Sequence, residues 1–104
     1  MSEQIKGIIE KYDCVLFMKG SKQFPQCGFS AQALQLINAY GVPFADINIL
    51  EDSQLRQDLK IYSDWPTFPQ LYVKGEFIGG VDIIREMHEA SELEEVFSSL
   101  VQGA

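Results

Sequence analysis

The chain has 104 residues, a formal net charge of −7, and a composition that is 46% hydrophobic and 22% charged, a profile that fits one globular domain over 1–104 with a single core. Fifteen acidic residues against eight lysines and arginines argue against nucleic acid as a partner, and no apolar run approaches the roughly 20 residues of a membrane span. The start, Met1 to Lys6, lacks a basic segment followed by an apolar one, and Cys14 and Cys27 are too few for a disulfide framework, so a cytoplasmic, reducing setting is expected.

Ile5, Ile8 and Ile9 followed by Tyr12 give a helical stripe over Ser2 to Lys11, with Ser2 as a candidate cap. Val15 to Met18 is unbroken apolar sequence, which predicts a central strand covered on both faces. Gly20 to Gln26 is polar, contains Pro25, and reads as a loop. Ala33, Leu34, Leu36, Ile37 and Tyr40 then repeat at helical spacing in a helix starting at Ala31 and stopped by Gly41 and Pro43. Val42 to Ile49 reads as a strand, and Asp52 or Ser53 can cap a helix that runs through Tyr62.

Trp65-Pro66-Thr67-Phe68-Pro69 cannot be helical, because each proline biases the residue before it toward extended backbone. Leu71 to Val73, Lys74-Gly75 and Glu76 to Ile78 have the pattern of a β-hairpin, broken at Gly79-Gly80. One helix follows from Asp82, with Ile83, Ile84, Met87 and His88, and another from Leu93, with Ser91 as its expected cap. Two βα units, a hairpin and terminal helices predict an α/β domain with a four-stranded mixed sheet and helices on both faces.

The chemistry concentrates at Cys27-Gly28-Phe29-Ser30, between the first strand and the second helix. Backbone N–H groups and the helix dipole favour a thiolate there, and Lys19 arrives from the strand end. The bland reading is a small buried hydrophobe, and position argues against it. Cys14, about five residues before the loop, lies roughly 16 Å away at ~3.3 Å per residue, beyond the ~7 Å between Cα atoms that a disulfide allows. Lys19 and Arg56 could meet a carboxylate or be solvated surface charges, and Asp82 could bind or simply cap a helix. Phe29 could be exposed or packed, Pro66 and Pro69 could simply end a loop, and His88 has no assigned role.

Met18-Lys19-Gly20-Ser21, Pro25 to Ser30, Trp65 to Leu71 and Gly79-Gly80-Val81-Asp82 together resemble the monothiol, CGFS-type glutaredoxins, in the same order and over essentially the whole chain. The resemblance implies a thioredoxin-like fold, a cis Pro69, and glutathione held by Lys19, Thr67, Phe68, Val81 and Asp82, with Arg56 a further candidate cation. It implies Cys27 as nucleophile and as metal ligand. In the family a [2Fe–2S] cluster is shared by a homodimer with two glutathiones and passed to apo iron–sulfur proteins, and BolA-like proteins are among the partners. Ser30 and Val81 stand where some relatives have a second cysteine, which weakens any mechanism with an internal disulfide. The rival reading is a glutathione-dependent oxidoreductase that removes glutathione from mixed disulfides. The longer loop over 20–26 disfavours it as the main role.

Overall fold

Five consecutive apolar residues form the first strand, β1 (Cys14–Met18), and all are buried. Successive strand side chains face opposite ways, so such a run needs a layer on each side. The computed structural model describes residues 2–102 and supplies both layers. The elements are α1 (Ser2–Lys11), β1, α2 (Gly28–Asn38), β2 (Ala45–Asn48), α3 (Ser53–Ser63), β3 (Gln70–Val73), β4 (Glu76–Gly79), α4 (Val81–Glu89) and α5 (Leu93–Gln102).

The sheet order is β2-β1-β3-β4, with β1 and β2 parallel and the other pairs antiparallel. Cys14, Leu16 and Met18 pack with Ala33 and Ile37 of α2, Ile84 of α4, and Leu93 and Phe97 of α5. Val15 and Phe17 face the opposite way, toward Ile5 and Ile9 of α1 and Leu55 and Leu59 of α3. The expected mixed sheet with helices on both faces is therefore the observed one. The hairpin turns on Lys74 (φ 53) and Gly75 (φ 82), the pair of left-handed residues that matches strand twist.

Several boundaries differ from the sequence expectation. Helix α2 starts at Gly28, not Ala31, because Gly28-Phe29-Ser30 forms a first turn with no apolar periodicity to mark it. Strand β2 is shorter than 42–49. Pro43 cannot donate to a ladder, and Ile49 already belongs to a 3-10 turn capped by the Asn48 side chain. Asp52 caps α3 by accepting from the Leu55 N–H at 3.0 Å. Helix α4 starts at Val81 with Gly80 in the capping position, so Asp82 lies in its first turn and is no cap.

Ser91 does not cap α5. It takes a left-handed φ of 62°, its N–H donates to the His88 carbonyl at 3.2 Å, and the Glu92 N–H donates to that of Met87 at 2.8 Å. This double bond pattern is a Schellman ending of α4. Asp64 ends α3 in the same way, with φ 54° and bonds from Asp64 and Trp65 to the Ile61 and Lys60 carbonyls. The side chain of Ser2, the candidate cap of α1, lies outside the described residues.

Candidate functional site

Cys27 occupies the capping position of α2 with extended backbone, φ −148° and ψ 136°. It is half-buried, so its sulfur is reachable. The Ser30 N–H is the strongest influence holding the thiol below its ordinary range, helped by the Phe29 N–H, the Lys19 ammonium and the Ser30 hydroxyl; partial burial opposes them. The Cys27 side chain closes no capping hydrogen bond, which leaves these N–H groups to an anion. Cys14 contrasts with it, since burial pushes its thiol up to about 12.

Ser30 is fully buried, and its Oγ accepts the Lys19 N–H at 3.1 Å. It ties the end of β1 to the first turn of α2. The intervening loop is also pinned. The Gly20 N–H donates to Asn48 Oδ1 at 2.9 Å, the Lys22 N–H to Asp46 Oδ2 at 2.9 Å, and the Lys22 ammonium lies 4.1 Å from the Phe44 ring centre. Gly20 has φ 96°, and any Cβ there would strike the Phe24 carbonyl and the Gln26 nitrogen. Phe24 and Phe29 are 73% and 62% exposed, so Phe29 is displayed beside Cys27, not packed on the helix.

Opposite this turn, the Phe68-Pro69 peptide bond is cis. The Phe68 ring is buried, and no hydrogen bond engages its N–H or carbonyl among the described residues. The buried Gln70 side chain holds the loop in place by donating to the Trp65 carbonyl at 3.1 Å and the Thr67 carbonyl at 3.2 Å. Gly80 packs closely against Trp65, since a Cβ there would lie 3.1 Å from the indole nitrogen.

These segments enclose a cleft of about 350 Å³ lined by every candidate residue: Lys19, Cys27, Arg56, Thr67, Phe68, Pro69, Val81 and Asp82. Among the described residues, ion pairs join Lys74 to Asp13 and Arg85 to Asp82, and neither Lys19 nor Arg56 has a carboxylate partner. Arg56 Nε and the Trp65 indole nitrogen are buried without an acceptor among the described residues. An acidic chain that leaves cations and donors unpaired in one cleft beside an acidified thiol is suited to an anionic ligand with a sulfur. Sequence reasoning missed the acceptor role of Ser30 and the bracing role of Gln70. The signal for Gln70 was a polar residue directly before an apolar strand.

A reachable thiol at a helix N-terminus and a cis-proline, lining one cleft at the end of a mixed sheet, define a thiol-bearing protein of the thioredoxin-like fold. The glutaredoxin family model matches residues 14–78. A probable monothiol glutaredoxin 2 of Rickettsia typhi is 53% identical over 92 residues, 88% of this chain and 83% of that one. Its namesake in Rickettsia prowazekii is 50% identical over 99 residues, 95% of this chain and 92% of that one. The solution structure of reduced poplar apo GrxS14 matches with a TM-score of 0.84 at 47% identity, covering 96% of this chain and 92% of that one. The chain belongs to the monothiol glutaredoxin family.

Proposed function

We propose that the protein binds glutathione in this cleft and, as a dimer of two chains with two glutathiones, carries a labile [2Fe–2S] cluster to apo iron–sulfur proteins in the cytoplasm. One observation carries the reading: the acidified thiol of Cys27 has no second cysteine in reach, while Lys19 and Arg56 beside it lack carboxylate partners among the described residues. Lys19 and Arg56 suit the glycine carboxylate of glutathione. The free N–H and carbonyl of Phe68, between Thr67 and cis Pro69, suit its cysteinyl backbone as a short added strand. Asp82 and the N–H groups that begin α4 at Val81 suit the γ-glutamyl end.

A [2Fe–2S] cluster takes four thiolates. Cys27 from each chain and a sulfur from each glutathione make that number. Among the described residues no group of three or more His, Cys, Asp and Glu side chains could hold a metal ion; in this reading the glutathione sulfurs supply the ligands that Cys27 does not. Phe29, which lines the cleft with Cys27, and Phe24 of the preceding loop are exposed apolar side chains on which a second chain, or a BolA-like partner, can seat. Ligands held without covalent bonds make the cluster a cargo suited to delivery.

The lowered thiol also favours a second reading. In it the Cys27 thiolate attacks a protein–glutathione disulfide, bonds to the glutathione sulfur and expels the protein thiolate. A second glutathione then attacks that disulfide, leaving as oxidised glutathione and freeing Cys27. Anaerobic reconstitution with iron, sulfide and glutathione separates the two. Visible absorbance on a dimer, lost in Cys27→Ser and without glutathione, is expected. Absence of a cluster together with fast glutathione-coupled turnover would sink the carrier reading.

A further inference from the structure

Asp82 does not stand alone at its end of the cleft. Arg85, one turn further along α4, donates from Nη2 to Asp82 Oδ1 at 2.9 Å, and its Nη1 reaches Gln32 Oε1 on α2 at 3.4 Å. The guanidinium thus bridges α2 and α4 beside the rim formed by Asp82. An exposed pair of this kind contributes little to stability. Its effect on a ligand is larger, because it changes the charge that the ligand meets. One oxygen of Asp82 is engaged, and Oδ2 has no hydrogen-bond partner among the described residues. A simple amine therefore meets a carboxylate already half neutralised. A ligand end that carries an ammonium and a carboxylate together meets a complementary pair, with Asp82 Oδ2 for the first and, for the second, the guanidinium N–H groups not engaged by Asp82 and Gln32.

From this arrangement we infer that Arg85 is a specificity-determining residue that makes this end of the cleft select an α-amino acid terminus over a simple amine, an inference that rests on the glutathione reading. Its test is calorimetric titration of the full, reduced, cluster-free protein with two peptides: glutathione, and γ-aminobutyryl-cysteinyl-glycine, which keeps the ammonium but lacks the α-carboxylate. Arg85→Leu weakens glutathione about fivefold, as for one charge-assisted contact at an exposed rim, and leaves the decarboxylated peptide unchanged or tighter, because Asp82 is released. Arg85→Lys keeps the charge without the fork and recovers part of the glutathione affinity. Equal losses with both peptides, or no loss with glutathione, overturn the role of Arg85. Failure of the parent protein to bind either peptide overturns the glutathione reading itself, and the inference with it. Arg85 is exposed along nearly half its side chain, and an unchanged melting temperature in Arg85→Leu assigns the contrast to the ligand contact.

Discussion

Cys14 opens β1 with 2% of its surface exposed, and burial pushes its thiol from the ordinary 9.0 to about 12. Cys27 sits past the other end of the same strand, half-buried at the start of α2, and there the Ser30 and Phe29 N–H groups and the Lys19 ammonium lower it. The residue type is the same, and only the surroundings differ. A thiol facing apolar side chains gains nothing from ionising, whereas one facing the unpaired donors of a helix start does. The lesson is that reactivity belongs to the strand–loop–helix junction, held in shape by Ser30 and the pinned loop.

The contrast breaks most visibly in alkylation. A thiol at about 12 is ionised about a thousandfold less than one at 9.0, since each pH unit is tenfold. Native iodoacetamide labelling near neutral pH therefore falls on Cys27 and vanishes in Cys27→Ser, while Cys14→Ala labels at the parent rate; fast labelling of Cys14 in the folded protein would remove the distinction. Ser30→Ala tests the junction. It strands the Lys19 N–H, which now has a 3.1 Å partner, costs about 1–2 kcal/mol in urea unfolding, and raises the pH at which Cys27 becomes reactive.

Cys14→Ala is smaller in effect, about 1 kcal/mol for the lost packing, and it also alters the pH dependence of stability. The raised Cys14 value means that its stabilisation is complete below the ordinary 9.0 and is lost as pH rises from there toward about 12. The lowered Cys27 value works the other way, with stabilisation present above 9.0 and lost as pH falls through the folded value. Alkaline urea titrations should thus show a downward slope in the parent that Cys14→Ala flattens. Lys19→Gln leaves stability nearly unchanged and gives a modest upward move of the Cys27 alkylation midpoint, because the ammonium ranks below the helix N–H groups, and above the Ser30 hydroxyl, among the lowering influences.

Much of this was legible in the sequence because the signals were local. Val15 to Met18 announced a two-sided strand, Lys74-Gly75 a tight hairpin, and Asp52 or Ser53 a cap, of which the structure uses Asp52. Every residue singled out as a candidate for the site lines one cleft. What escaped depended on distant partners. Nothing in Gly28-Phe29-Ser30 marks a helix turn until the Cys27 backbone turns into it, and Ser91 reads as a cap until its left-handed φ assigns it to the preceding helix. The Arg85 bridge to Gln32 joins helices far apart in the chain, so no spacing rule could show it.

The Schellman endings of α3 and α4 carry one more consequence. Their left-handed positions hold Asp64 and Ser91, where a side chain brings Cβ too near the following carbonyl at roughly 1 kcal/mol or more apiece. Glycine at either position relieves that strain, offset in part by the greater freedom it gives the unfolded chain. Neither residue lines the cleft. Asp64→Gly and Ser91→Gly together are therefore a route to a more heat-resistant variant whose thiol chemistry is that of the parent.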